Sequence, residues 1–228
     1  MKIFLSVGHS IMRNGSVTSA DGRSYGGCLE YEYCKNLVKY IEKWLVKAGH
    51  NVTVCIVPER KYNGTTDEFN YKIPLENKGN YDLSVELHLN AFNGQAYGTE
   101  VYYKTNSGKK YAQRVVDKLG TIFRNRGAQL HNNLAWLNRT KAPAILIEHF
   151  FCDSKSDYAT AKSHGYDKIG KLVAEGIHGK EIMEKEETIP DNKVWYRVQV
   201  GAFRSSENAK KLKEELEKKG YEAVVVKA

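Results

Sequence analysis

The chain has 228 residues, enough to bury one full hydrophobic core and to leave a remainder that needs its own explanation. Its formal net charge of +8 and sequence pI near 9.1 come mostly from lysines spread along the chain, without an arginine-rich arm or a nucleic-acid recognition motif. We therefore expect no nucleic-acid partner, whereas a polyanionic polymer or a membrane surface would be attracted by the same charge.

No segment has the apolar length of a membrane span, which needs roughly 18 residues. The apolar run at the start covers only residues 3–7, which is too short for the core of a signal peptide. We expect synthesis in the cytoplasm without a signal peptide and, if the protein acts outside the cell, release by another factor. The four cysteines lack C-x-x-C spacing and are predicted to be reduced.

Strand and helix patterns alternate through residues 1–180. In chain order, the periodicity predicts a strand at 2–8, a helix at 30–48, strands at 52–57, 82–88 and 98–103, a helix at 109–126, a strand at 144–148 and a helix at 157–177. The polar stretch at 58–80 is predicted to be a long loop, a class that is often functional. The alternation favours an α/β fold with a mostly parallel, twisted sheet and helices on both faces.

Three of the predicted strands end in a residue that can bind a metal, namely His9, His88 and Glu148. Since ligands of an open α/β sheet gather at the carboxyl ends of its strands, these side chains are predicted to share one site. A carboxylate at the start of the first helix can turn toward the same edge, where it also faces the positive end of the helix dipole. Glu30 and Glu32 both lie there, but they point roughly 200° apart, so only one of them can face the metal.

Two histidines and a carboxylate are a typical ligand set for catalytic zinc, which takes three protein ligands and keeps a fourth position for water. Glu148 ends a run too apolar to hold a free carboxylate, so it is either functional or neutralised by a partner, and with the other three residues as ligands it is free to act as the general base. Glu86, two residues before His88 on the same strand face, is predicted to support the ligands from behind, and Asn90 to contact either the ligands or a substrate. These residues together predict metal-assisted amide hydrolysis.

Five segments carry a family resemblance: Val7-Gly8-His9-Ser10, Glu30-Tyr31-Glu32-Tyr33, Glu86-Leu87-His88-Leu89-Asn90-Ala91, Asn125-Arg126-Gly127 and Leu146-Ile147-Glu148. Residues 1–180 resemble the zinc-dependent N-acetylmuramoyl-L-alanine amidases of bacterial autolysins and phage endolysins, most of all those of clostridial phages. The resemblance implies Zn²⁺ held by His9, Glu30 and His88, with Glu148 as catalytic base. The implied reaction is cleavage of the amide between N-acetylmuramic acid and the L-alanine of the peptidoglycan stem peptide.

The composition changes beyond the amidase-like region. Residues 181–193 are charged and polar, which predicts a linker, and residues 194–228 are predicted to form one small β-α-β unit, with strands at 194–200 and 223–226 on either side of a helix. The segment Tyr196-Arg197-Val198-Gln199-Val200-Gly201-Ala202-Phe203 resembles the sporulation-related repeat called SPOR. That resemblance implies binding of glycan strands stripped of stem peptides, with Gln199 and Phe203 as candidate contacts. A single half-domain either pairs with a second copy of the chain, which would make a homodimer, or is a remnant or shortened product, and pairing is favoured because it covers the exposed strand edges.

Two other functions fit the same residues. Another zinc hydrolase on this scaffold, such as a peptidase or a carbohydrate deacetylase acting on the cell wall, would keep the metal and cleave a different bond. A non-catalytic wall-binding protein would rely on the basic charge and the C-terminal unit, and the substitution Glu148→Ala would leave it unchanged. Peptidoglycan is the expected partner in every case.

Overall fold

A computed structural model describes residues 1–183 and 199–226 of the chain. The chain divides into two compact units, Met1–Met183 and Glu184–Ala228. The predicted linker at 181–193 falls mostly outside the described residues, so its boundaries stay predictions. Among the helices of the described ranges, none combines the length and the apolar character that a membrane crossing requires.

Residues 1–183 contain a six-stranded mixed sheet. Its strands are β1 (Lys2–Val7), β2 (Asn51–Cys55), β3 (Leu83–Asn90), β4 (Thr99–Tyr103), β5 (Asn125–Leu130) and β6 (Ala144–Phe151). They lie in the order β2-β1-β3-β6-β4-β5, with β1, β2, β3 and β6 parallel to one another. Strand β4 is antiparallel to β6 and parallel to β5. The predicted α/β architecture is confirmed, and the four parallel strands end at one shared edge.

Helices cover both faces of this sheet. Within residues 1–183 they are α1 (Glu30–Lys47), α2 (Thr65–Lys78), α3 (Asn106–Leu119), the short α4 (Ala135–Arg139) and α5 (Lys155–His178), with a 3-10 helix at Arg23–Tyr25. On one face, α1, α3 and α5 enclose the larger core, which contains the buried Trp44. On the other face, α2 and α4 pack Ile73 and Trp136 against Phe4 and Leu146 of the sheet.

Helix α1 follows the apolar spacing of its sequence. Leu37, Ile41 and Trp44 recur at three- to four-residue intervals and are buried. Gly49, just beyond the helix, has a φ of 82°, a left-handed conformation that favours glycine. Because the helix begins at Glu30, its first turn lies at the edge where the parallel strands end.

The predicted loop at 58–80 is wrong over most of its length, because residues Thr65–Lys78 form α2. The buried face of this helix carries Glu68, Lys72 and Glu76, each no more than 2% exposed. Residues four apart share one side of a helix, so the side that faces the sheet carries three charges beside the apolar Ile73. A helix of this kind has no hydrophobic periodicity to detect.

The predicted helix at 109–126 is too long, and the short α4 was not predicted. Helix α3 ends at Leu119, and residues Asn125–Leu130 form the edge strand β5. The chain turns back tightly between them, since a Cβ built on Gly120 would lie 2.8 Å from Cβ of Asn125. The turn residues Ile122 and Phe123 pack on the core from outside the helix, although their spacing is helical.

In the second unit, the described residues 199–226 contain the helix α6 (Ser206–Lys218). Residues 221–226 form no strand with another described residue, and because most of the predicted partner strand lies outside the described residues, the β-α-β unit stays a prediction. A strand is defined by backbone hydrogen bonds to a partner strand, and this segment has none among the residues described. The other predicted strand, at 194–200, lies mainly outside the described residues.

Candidate metal centre

His88 and Glu148 lie side by side on the two central parallel strands. Strands β3 and β6 pair His88 with Glu148 in register, and β4 places Glu100 on the other side of Glu148. Residues in register point to the same face of a sheet, so the three side chains form a row across it. Both central strands continue beyond the row, to Asn90 and Phe151, rather than ending at it as the sequence predicted.

The Gly8-His9 dipeptide brings a second histidine to this row. Strand β1 ends at Val7, and His9 has a φ of 64°, a left-handed conformation that is uncommon for residues other than glycine. Gly8 lies directly against the His88 ring, since a Cβ built on it would be 2.2 Å from Cε1 of His88. Position 8 therefore has no room for a side chain. The rings of His9 and His88 meet edge to face, with centroids 4.8 Å apart.

The carboxylate of Glu30, the first residue of α1, lies between the two imidazoles. Its Oε1 is 3.3 Å from Nε2 of His9 and 2.9 Å from Nδ1 of His88. The same oxygen accepts a 3.1 Å hydrogen bond from the backbone N–H of Leu89, and Oε2 accepts one of 2.9 Å from that of Ala20. These contacts fix a carboxylate that is only 3% exposed.

One donor atom from each of His9, Glu30 and His88 lies within 4.8 Å of the others, a spacing that a single metal ion can bridge. Two imidazole nitrogens and one carboxylate oxygen are donors that zinc prefers, so the residues present fit a zinc ion. Glu32, the other glutamate at the start of α1, is exposed and does not belong to this group. The structure thus brings together the predicted ligands.

The acidic groups of the site favour a cation at its centre. Burial alone would raise the pKa of Glu30, but hydrogen bonds with His88 and His9 hold that pKa well below its usual range. Burial also disfavours a charge on His88, yet contacts with Glu30 and Glu86 raise its pKa to about 10. The cation is either a proton on His88 or a metal ion that replaces this proton on binding.

Glu86 lies behind His88, inside the sheet. Its Oε2 is 3.3 Å from Nε2 of His88, a charge contact that lacks the alignment of a hydrogen bond, and its Oε1 is ion-paired with Lys72. Burial would raise the pKa of Glu86, but the charges of Lys72 and His88 hold it at about 2. Both side chains of the Lys72–Glu86 pair are only 1% exposed, so solvent does not screen it.

The Glu148 carboxylate has a buried oxygen, Oε2, without a hydrogen-bond partner. Burial raises the pKa of Glu148 to about 8, although the charge on His88 opposes the shift. The neighbouring Glu100 is neutralised instead by Arg126, whose Nε donates to it at 3.1 Å. Asn90 also donates to Glu100, so it contacts the surroundings of Glu148 rather than the metal-binding group. Glu148 is thus the unpaired carboxylate of the row.

Sequence reasoning missed three side chains behind the two histidines. Thr18 Oγ1 lies 3.3 Å from Nδ1 of His9 and donates a 2.7 Å hydrogen bond to Oε1 of Glu68. Lys72 reaches His88 through Glu86, as described above. The available signal is the four-residue spacing of Glu68 and Lys72, but without an accompanying apolar period this stretch predicts a polar loop.

The predicted glycan contacts belong to the second unit. Gln199 is exposed, and its side-chain amide donates to the carbonyl of Gly201 at 3.4 Å. Phe203 is 47% exposed and lies against the backbone of Gly201. Both side chains are accessible to a ligand, and their glycan-binding role stays a prediction.

Comparison with known families accounts for both parts of the chain. The family described as N-acetylmuramoyl-L-alanine amidase matches residues 3–179. The SPOR domain matches residues 169–227. The SPOR match therefore begins inside α5, earlier than the predicted start at residue 194.

Individual relatives agree with the family match. An uncharacterised protein of Clostridium perfringens is 33% identical over 81% of the chain and 53% of its own length, so the chain spans about half of that relative. The N-acetylmuramoyl-L-alanine amidase CwlM of Bacillus licheniformis is 26% identical over 99% of the chain and 85% of its own length. The solved catalytic domain of CD27L endolysin, which targets Clostridium difficile, is 50% identical with a TM-score of 0.77, covering 80% of the chain and 99% of that domain. The chain belongs to the N-acetylmuramoyl-L-alanine amidase family.

Proposed function

We propose that this protein is a peptidoglycan hydrolase that cleaves the amide between N-acetylmuramic acid and the L-alanine of the stem peptide. The observation that carries the proposal is the convergence of His9 Nε2, Glu30 Oε1 and His88 Nδ1 beside Glu148, which lies in register with His88. Family membership points to the bond, and the site contains the groups that amide hydrolysis requires.

The metal in this proposal is one zinc ion held by His9, Glu30 and His88. When bound, zinc lowers the pKa of water and polarises the amide carbonyl. Glu148 takes a proton from the attacking water and returns it to the leaving nitrogen, which departs as an amine. Burial raises the pKa of Glu148 to about 8 in the zinc-free protein, so the site favours a carboxyl that holds a proton readily and can pass it on.

The C-terminal unit would hold the enzyme on the cell wall after its release from the cytoplasm. Glycan strands stripped of stem peptides are both the expected ligand of a SPOR domain and the polymer that an amidase leaves behind. Gln199 and Phe203 are the candidate contacts, and Phe203→Ala in the full chain should weaken binding to such strands. Pairing of two chains through this unit stays a prediction that the comparisons do not support.

Two alternatives differ from this proposal in measurable ways. A zinc peptidase or carbohydrate deacetylase would depend on the same metal and release other products. A wall-binding protein without catalysis would bind peptidoglycan and leave it intact. A turbidity assay separates a zinc hydrolase from a wall-binding protein without catalysis. Wild type, chelator-treated protein and Glu148→Gln are each added to a suspension of purified cell walls, and the turbidity of the suspension is followed. We expect only the zinc-loaded wild type to clear the suspension, whereas binding without clearing by all three would contradict the proposal.

A further inference from the structure

Helix α2 places three buried charges behind the metal centre. Glu68, Lys72 and Glu76 are 2%, 1% and 0% exposed, and we call them the buried row of α2. Their four-residue spacing puts all of them on the side of the helix that faces the sheet. A buried charge costs several kcal/mol unless it is paired, so each member of the row needs a partner. Two of the three partners lead to a predicted zinc ligand.

The first member of the row reaches His9 through Thr18. Thr18 donates its hydroxyl hydrogen to Oε1 of Glu68 at 2.7 Å, which leaves the hydroxyl oxygen as an acceptor. That oxygen lies 3.3 Å from Nδ1 of His9. His9 can fill this contact only by donating from Nδ1, which leaves the lone pair on Nε2. Nε2 is the atom that lies 3.3 Å from Glu30, inside the metal-binding group.

The second member of the row reaches His88 through Glu86. Lys72 forms a buried ion pair with Oε1 of Glu86, whose Oε2 lies 3.3 Å from Nε2 of His88. A carboxylate only accepts hydrogen bonds, so the charge of Glu86 favours a hydrogen on Nε2 of His88, and Nδ1 is then the nitrogen that gives up its proton when a metal ion binds. Nδ1 lies 2.9 Å from Glu30. His88 thus faces the site with the opposite nitrogen from the one that His9 uses.

The third member of the row anchors the helix. Glu76 accepts hydrogen bonds from the Ser84 hydroxyl at 2.7 Å, from the Ala142 N–H at 3.1 Å and from the Lys141 N–H at 3.0 Å. These groups belong to β3 and to the turn before β6. Helix α2 is therefore fixed to the two strands that carry His88 and Glu148.

We propose that the buried row of α2 is a positioning layer that sets which nitrogen of each histidine faces the zinc ion, Nε2 for His9 and Nδ1 for His88. The inference rests on the proposed function, because it concerns the same metal. Glu68 acts through Thr18, and Lys72 acts through Glu86. Partners of this kind fix the orientation of a ligating imidazole, and their loss typically weakens metal binding about 10- to 100-fold.

The His9 arm is tested by Thr18→Val in the full chain, since this change removes the hydroxyl and preserves the shape of the side chain. Zinc affinity is measured by competition with a chromophoric chelator, and the visible spectrum of the cobalt-substituted protein reports the ligand geometry. We expect binding about 10- to 100-fold weaker with an altered cobalt spectrum. Thr18→Ser should restore both, because the hydroxyl returns. Thr66→Val, at an exposed position of α2, is the matched control and should behave as wild type.

The His88 arm is tested by the double variant Lys72→Met, Glu86→Leu, which replaces a buried ion pair with apolar groups of similar size, a change that proteins often tolerate. Lys78→Met, at an exposed position of α2, is its control. We again expect about 10- to 100-fold weaker zinc binding. If the double variant does not fold, Thr18→Val decides alone.

Wild-type zinc affinity and an unchanged cobalt spectrum in folded Thr18→Val would overturn the positioning role while leaving the proposed function intact. Failure of the wild type itself to bind zinc would overturn the proposed function and this inference with it. The midpoint of thermal unfolding is also measured for each variant without zinc. An unchanged midpoint shows that weaker zinc binding does not come from a general loss of stability.

Discussion

His88 and Glu148 are direct neighbours on the paired parallel strands β3 and β6. The predicted ligand and the predicted base are therefore held by strand register rather than by a loop. A slip of one residue would turn Glu148 to the opposite face of the sheet, so the spacing of the two groups is as fixed as the sheet itself. Glu30 completes the site from the first turn of α1, with Oε1 2.9 Å from Nδ1 of His88.

Glu30→Gln should weaken zinc binding more than about 100-fold, because it removes the negatively charged metal ligand that lies between the two imidazoles. Glu32→Gln is the matched control, since this exposed residue lies two positions further along the same helix. Zinc content after dialysis and competition with a chelator measure both variants. Equal affinity for Glu30→Gln and wild type would remove Glu30 from the ligand set.

Gly8→Ala should disturb the metal centre without touching a ligand. The added Cβ would lie 2.2 Å from Cε1 of His88, so the ring has to move. We expect zinc affinity at least about 10-fold weaker and a free energy of unfolding lower by about 1–3 kcal/mol. Gly64→Ala serves as control, because a Cβ on Gly64 meets nothing within 4 Å. Similar zinc affinities and similar free energies of unfolding for Gly8→Ala and Gly64→Ala would show that position 8 is not crowded.

His149 should make the zinc-free protein less stable in weak acid. It is fully buried, its Nδ1–H donates to the carbonyl of His88 at 2.9 Å, and burial lowers its pKa to about 4. The ordinary pKa is about 6.5, so between these values the unfolded chain binds a proton that the folded chain does not. The free energy of unfolding therefore falls as the pH drops through this window, by about 3 kcal/mol in total.

His149→Asn tests this titration. The asparagine amide keeps an N–H near the position of Nδ1–H, and it does not ionise. The free energy of unfolding is measured with urea from pH 4 to 7. Its slope against pH should be smaller for His149→Asn than for wild type, by up to the amount that corresponds to the binding of one proton. If the free energies of unfolding of wild type and His149→Asn change with pH by the same amount, the His149 imidazole titrates normally in the folded protein.

Removal of zinc should lower stability without unfolding the protein. The larger core lies on the opposite face of the sheet from Glu86 and Glu148, and it contains neither predicted histidine ligand. Zinc at about 100 times its dissociation constant should stabilise the fold by about 2.7 kcal/mol. Thermal unfolding with chelator and with graded zinc measures the shift. A midpoint that is independent of zinc, or a chelated protein without helical structure, would contradict this expectation.

The sequence was sufficient to predict where residues lie in the fold when their neighbours follow a simple apolar period. His9 follows an apolar strand, His88 and Glu148 come after apolar runs within theirs, and α1 has a regular apolar stripe that ends before Gly49. Helix α2 escaped detection because its buried side is charged, and those charges are stabilised by partners distant in sequence, such as Glu86 for Lys72. The contacts behind the histidines arise from tertiary packing, which no local pattern records.

The most direct test of the central claim is mass spectrometry of the products released from purified peptidoglycan by wild type and by Glu148→Gln. We expect wild type to release intact stem peptides with L-alanine at their amino ends, and Glu148→Gln to be slower by about 10²- to 10⁴-fold while it retains zinc and fold. Products cut at any other bond would contradict the amidase assignment, and equal rates for the two proteins would contradict the role of Glu148.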